Sequence, residues 1–260
     1  MENTISVSTD MVEVVVVAKE LKEALNTVKY AMSNDTSKIV LCGINVIVDK
    51  NSVILEALDG FRLARKTLKF NHMLSFQNKF NFQLDSDQVK YLANKVPNRK
   101  TENVTLCIDL LHRRLYVYTK DDRFDFIISD GQFIPCDKLL LGDTEHLISL
   151  PGEVLKTLKG NKKNITEKNK RVELDVVNDN LKISYLTEEG LKDHNFTINN
   201  LNNTRFNVNV NANYFVDALS KVKDESYELG LNDNIYQGIQ LSTPTQKHII
   251  MPLKVQRRIK

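Results

Sequence analysis

Apolar and polar residues alternate and then regroup in an order that runs through the chain four times. The first copy opens as a strand at Glu13 to Ala18 and continues as a helix over Lys19 to Met32, with Leu21, Ala24, Leu25 and Val28 on one face. Three extended runs follow, at Lys38 to Ile47, Ser52 to Leu58 and Phe61 to Phe70. The order restarts with a strand at Phe76 to Leu84 and a helix at Asp85 to Asn94, whose Ser86 and Asp87 suit a first turn. Strands at Asn103 to Ile108, Leu115 to Thr119 and Phe124 to Ser129 complete that copy. The third copy reads as strand His146 to Leu150, helix Pro151 to Leu158, and strands at Val172 to Val177, Leu181 to Leu186 and Leu191 to Thr197. Proline fits the start of a helix, where its missing N–H is no loss. The last copy has a strand at Arg205 to Val210, a helix at Ala212 to Val222, and strands at Ser226 to Leu231, Gly238 to Ser242 and His248 to Leu253.

Four strand-helix-three-strand units, paired, predict an α+β protein of two domains, residues 1–145 and 146–260, with the boundary near Leu141 to Glu145. One amphipathic helix per unit puts helices on one face of the sheets and leaves sheet edges open, and open edges invite pairing with another copy. Asn161 to Lys170 is polar and basic without an apolar period and reads as a loop.

Composition narrows the class. At 260 residues the chain suits two domains of ordinary size. Its longest strongly apolar run, Val14 to Ala18, is far too short to span a bilayer. Met1 to Asp10 is polar and lacks the basic and apolar regions of a signal peptide, so a cytoplasmic location is expected. Cys42, Cys107 and Cys136 form no close pair, which argues against a disulfide framework or a zinc site and for reduced, buried thiols. The formal charge of +3 is unevenly placed: Met1 to Glu145 carries 19 basic and 20 acidic residues, His146 to Lys260 17 and 13. That balance excludes a DNA-condensing protein and permits a local basic surface.

Catalytic chemistry finds little support. The five histidines are scattered, and no phosphate loop, nucleophile elbow or H-E-x-x-H motif occurs. The acidic pairs Asp121-Asp122 and Glu188-Glu189 each fall between predicted strands and read as solvated turns. No enzymatic activity, metal or cofactor is expected.

The most distinctive segment is A-L-D-G-F-R-L-A, Ala57 to Ala64, in which Asp59-Gly60 supplies the positive φ of a tight turn and Arg62 follows between apolar neighbours. With the earlier run L-K-E-A-L-N-T-V-K-Y-A-M-S-N-D and the later N-A-N-Y-F-V-D-A-L and I-I-M-P-L-K-V, it resembles the bacterial DNA polymerase III beta subunit family, the sliding clamps of replication, over about Val12 to Val255. The resemblance implies a DNA clamp fold: a ring of six similar domains around duplex DNA, with helices lining the interior and sheets outside. The family has three domains per chain and dimerises. Here the two domains look like the second and third of the family, a shortened two-domain form, so six domains would require a homotrimer. The function implied is a processivity factor that encircles double-stranded DNA without sequence preference and tethers a DNA polymerase, and binds a clamp loader, through linear peptide motifs. The alternative is a clamp-like adaptor or decoy that binds such motifs without closing around DNA.

The resemblance also carries a peptide pocket onto Leu58, Gly60, Arg62 and Leu63, onto Pro135, Leu139 and Leu140, onto Asn211 and Tyr214, and onto Met251, Pro252 and Leu253. Met and Leu suit an adaptable apolar floor, Tyr an aromatic wall, and Arg62 a rim donor for peptide carbonyls. Leu58 stands where threonine is common, Phe61 where a histidine or similar residue is found, and Lys254 where arginine is usual, which makes the pocket more apolar. A basic tail, Gln256 to Lys260, extends past the usual end of the family. Lysines on the four helices are the expected DNA contacts: Lys22 and Lys29; Lys90 and Lys95; Lys156, Lys159, Lys162 and Lys163; Lys221 and Lys223. Such lysines attract phosphate without reading bases. On the residues alone they read as solvated helix faces; the resemblance turns the reading toward DNA.

Overall fold

The computed structural model describes residues 11–70, 72–74, 79–129, 132–140, 146–168, 170–200, 205–222, 227–231 and 238–254. The chain divides into two compact units. Met1–Asp59 with Arg65–Ile134 form the first, and Gly60–Ala64 with Pro135–Lys260 the second. The boundary expected at Leu141 to Glu145 lies outside the described residues.

In the first unit, β1 (Met11–Val17) is a β-branched run whose Val12, Val14 and Val16 are fully buried, so one face of the strand is core. Helix α1 (Ala18–Val28) follows without a loop and buries Leu21, Ala24, Leu25 and Val28. Strands β2 (Gly43–Asp49), β3 (Ser52–Leu58), β4 (Arg62–Lys69), β5 (His72–Leu74) and β6 (Phe80–Asp85) come next. Gly43 is required where β2 meets β6, because a Cβ there would overlap the Leu84 carbonyl oxygen. Asp85 then caps α2 (Ser86–Lys95): its carboxylate accepts the N–H groups of Asp87 and Gln88, and the Gln88 side chain accepts the Asp85 N–H. The helix stops at Val96, the residue before Pro97. The unit closes with β7 (Asn103–Asp109), β8 (Arg114–Tyr118) and β9 (Arg123–Ile127). Strand order is β5-β1-β7-β8-β9 in one sheet and β4-β3-β2-β6 in the other, and α1 and α2 pack on each other and on these sheets. On the second sheet a polar ladder crosses the strands. Arg65 pairs with buried Glu56, Asn45 donates to Glu56 at 3.2 Å, and Asn81 donates to Asn45 at 3.1 Å.

The second unit repeats the plan with β10 (His146–Ser149), α3 (Gly152–Asn161), β11 (Arg171–Val177), β12 (Asn180–Thr187), β13 (Gly190–Thr197), β14 (Phe206–Asn211), α4 (Ala212–Val222), β15 (Glu228–Leu231), β16 (Ile239–Ser242) and β17 (Gln246–Ile250). One sheet has the order β13-β12-β11-β14, the other β10-β15-β16-β17. Helix α4 buries Phe215, Val216, Ala218, Leu219 and Val222, and it packs on α3, β14 and β17. Removing the fully buried Phe215 ring would cost about 3–5 kcal/mol.

Two local expectations are corrected. The strand expected from Lys38 begins only at Gly43, because Thr36–Leu41 forms 3₁₀ turns. Asp35 causes this: its carboxylate accepts both the N–H and the hydroxyl of Ser37, and that local bond outcompetes the β preference of Ile39 and Val40, which are left exposed. The last strand ends at Ile250 rather than Leu253, and Met251 to Lys254 runs on as irregular backbone. A 3₁₀ turn at Cys136–Lys138 had no signal in the periodicity.

Candidate functional site

Residues distant in sequence converge in the second unit. Gly60 takes φ of +93°, as the Asp59-Gly60 turn requires, and sends Phe61 and Arg62 to opposite fates. Phe61 is 58% exposed and stacks on Tyr214, ring centroids 6.3 Å apart. The guanidinium of Arg62 lies 4.5 Å from the centre of the Tyr214 ring and donates to Asp217 at 2.8 Å, with only 13% of its side chain exposed. The Met251 N–H donates to the Phe61 carbonyl at 2.8 Å, and the Leu253 N–H to the Asn209 carbonyl at 2.7 Å, so the irregular terminal segment is fastened at two points.

Asn211 positions the tyrosine. Its side-chain oxygen accepts the N–H groups of Asn213 and Tyr214 and so caps α4, fixing the first turn on which Tyr214 sits. Asp217 follows three residues later on the same helix face. The result is an aromatic shelf of Phe61 and Tyr214 beside half-exposed Met251, with a cation whose charge is already balanced by Asp217. It offers apolar and aromatic surface beside a polar rim.

The other residues expected in the pocket are placed as follows. Leu63 is buried, Pro252 and Leu253 are half-buried, and Pro135 and Leu139 are exposed beside the Cys136–Lys138 turn, where the N–H groups of Leu139 and Leu140 both donate to the Cys136 carbonyl. Leu58 is buried at the end of β3 in the first unit. Asp217 carries no distinguishing signal in the sequence, because its partner Arg62 lies 155 residues away.

The helix lysines separate into engaged and solvent-facing groups. The Lys22 ammonium donates to the Asn94 and Val96 carbonyls at 3.2 and 2.7 Å and thereby caps the C-terminal end of α2. Lys90 pairs with Asp87, Lys95 lies 5.8 Å from the Tyr91 ring centre, and Lys29 and Lys221 are half-buried. Lys162 is the C-cap of α3 and is half-buried. Lys156 and Lys159 on α3, and Lys163 just beyond it, are exposed. Lys223 lies outside the described residues. Asp121-Asp122 and Glu188-Glu189 both sit in turns between strands, and no described group of three His, Cys, Asp or Glu residues is placed to hold a metal ion. No described helix is long and apolar enough to cross a membrane.

An α+β chain made of this repeated unit has the DNA sliding-clamp fold. A protein from Eubacterium rectale described as a DNA polymerase III beta subunit superposes with a TM-score of 0.85 at 14% identity, over 94% of this chain and 66% of that one. A DNA polymerase sliding clamp from Pseudomonas aeruginosa gives 0.84 at 17% identity with the same coverage, and a clamp from that organism bound to griselimycin gives 0.83 at 17% over 94% and 65%. The chain therefore spans just under two thirds of the length of these clamps. Residues 15–135, just under half of the chain, match the model of the DNA polymerase III beta subunit, central domain. No curated protein matches the chain significantly by sequence.

Proposed function

We propose that the protein is a DNA sliding clamp, a processivity factor that encircles duplex DNA as a homo-oligomeric ring and tethers a polymerase. A homotrimer is the favoured assembly. The single observation that supports this best is the clamp fold extending over nearly the whole chain at a TM-score of 0.85. The shelf of Phe61, Arg62, Tyr214 and Met251 serves as the docking point for linear motifs of the polymerase and the clamp loader. Gly60, Leu63, Asn211, Pro252 and Leu253 support it, and Pro135, Leu139 and Leu140 extend it. Non-specific attraction to DNA comes chiefly from Lys156, Lys159 and Lys163, with no base-reading contact and no catalytic step.

The test is retention on DNA of different topology. After loading, the protein should stay on closed circular duplex and run off once the circle is linearised, and Lys156→Glu with Lys159→Glu should lower retention. Arg62→Ala with Met251→Ala should abolish binding of a clamp-motif peptide while the fold persists. Peptide binding with no topological retention would favour the adaptor reading, and loss of both would overturn the proposal.

A further inference from the structure

A guanidinium beside an apolar surface ordinarily draws acidic ligands, because it is always charged and its forked N–H groups match a carboxylate or a phosphate. At the aromatic shelf that attraction is opposed from within the protein. The Arg62 guanidinium lies 4.5 Å from the centre of the Tyr214 ring, donates to Asp217 at 2.8 Å, and leaves 13% of its side chain exposed. Asp217 leaves 39% of its side chain exposed. Of the two charges, an approaching ligand reaches the carboxylate more easily.

The order is held from both sides. Arg62 opens β4 directly after the Gly60 turn, so its backbone is set by a strand. Asp217 lies on α4, whose first turn is fixed by Asn211 and whose buried face of Phe215, Val216, Ala218 and Leu219 anchors the helix. Tyr214, Asp217 and Lys221 are half-buried on the remaining side of that helix. Tyr214 and Asp217 are three residues apart and therefore neighbours on the helix surface, so ring and carboxylate hold the guanidinium together.

What the shelf offers beyond this pair is apolar. Phe61 is exposed and stacks on Tyr214, and Met251 is half-exposed beside them. Such a surface is stabilised by covering it with apolar and aromatic side chains, and a balanced ion pair adds little attraction for a charge on the ligand. Specificity is a difference between affinities, and a like charge set against the wrong ligand is one way to create it.

We infer that Asp217 sets the specificity of the shelf. By neutralising Arg62 it fixes the ligand class as peptides whose docking residues are uncharged, apolar and aromatic, and it keeps acidic segments from gaining on them. The inference rests on the docking role proposed above for the shelf.

Asp217→Asn keeps the shape and a side-chain oxygen for Arg62 and removes the charge. The probe is a clamp-motif peptide in two versions, with Glu or Gln at one residue beside its apolar positions, and fluorescence anisotropy on the full chain reads the Kd of each. Wild type should bind the two versions within about threefold of each other. In Asp217→Asn the Glu version should gain on the Gln version by about three- to tenfold, the effect of one unit charge a few ångströms away at a half-exposed site. That gain should shrink as salt rises from about 50 to about 500 mM, and Asp217→Glu, which restores the charge, should return the ratio to the wild-type value.

The ratio separates charge from structure, because a variant that merely loosens α4 weakens both versions alike. A ratio that Asp217→Asn leaves unchanged, with melting by circular dichroism close to wild type, overturns the inference and leaves the docking role standing. So does a wild type that already prefers the Glu version by more than about tenfold, a result that needs no variant. A wild type that binds neither version overturns the inference and the docking role together.

Discussion

Replacing Lys22 by methionine should destabilise the first unit and leave DNA retention unchanged. The last turn of a helix leaves carbonyl groups without partners and concentrates negative partial charge there, and the Lys22 ammonium meets both needs at the end of α2. A hydrogen bond involving a charged group contributes about 1.5–3 kcal/mol net, and a cation at a helix C-terminus about 0.3–1 kcal/mol. The Asn94 bond is exposed and its carbonyl regains water on substitution, so the shorter, part-buried bond to Val96 carries most of the effect. Methionine keeps the apolar stem in place, which leaves an expected loss of about 1.5–2.5 kcal/mol. Urea unfolding followed by circular dichroism reads it directly, and the melting temperature should fall by about 2–4 °C per kcal/mol. Retention on circular DNA, measured where both proteins are fully folded, should match the wild type. Unchanged stability, or retention lost as severely as in the charge reversal of Lys156 and Lys159, would refute the assignment of Lys22 as a helix cap.

Three further outcomes follow from the same geometry. The Asp109 carboxyl is held below the usual carboxylate range chiefly by the His112 N–H, which donates to it at 2.9 Å; its stabilising contribution is present above about pH 4 and is lost as pH falls through its lowered value. Asp109→Asn should therefore show a smaller drop in urea midpoint between pH 7 and pH 3 than the wild type. Burial pushes the Cys107 thiol up and encloses Cys136, whereas Cys42 is only half-buried, so Ellman's reagent at pH 8 should find one fast thiol in the native protein and three in denaturant, with Cys42→Ser removing the fast phase. Gly43→Ala should cost at least about 2 kcal/mol by forcing β2 from β6, and a urea midpoint equal to wild type would contradict the close approach at Leu84.

Periodicity made most of this fold readable. Val12, Val14 and Val16 alternate as a half-buried strand must, and Leu21, Ala24, Leu25 and Val28 mark a helical stripe that is buried as the spacing requires. It misled at Lys38 to Leu41, where a single Asp35 side chain imposed a turn on residues of high β preference. At the site, Arg62, Tyr214 and Met251 were legible because each sits in a recognisable motif. Asp217 looked like any polar helix residue until the backbone carried Arg62 to it. The capping role of Lys22 was hidden for a similar reason: its acceptors lie 72 and 74 residues away, on another helix, and local spacing holds no record of such a bond.

Gly60–Ala64 is enclosed in sequence by the first unit yet belongs to the second, and its Phe61 carbonyl receives the N–H of Met251. A chain emerging from the ribosome folds from its N-terminal side first. Phe61 and Arg62 are thus made long before Tyr214, Asp217 and Met251, and the aromatic shelf has no partial form that a growing chain can display. Under the docking role proposed above, a motif finds its shelf only on a completed chain, and a prematurely terminated one offers none.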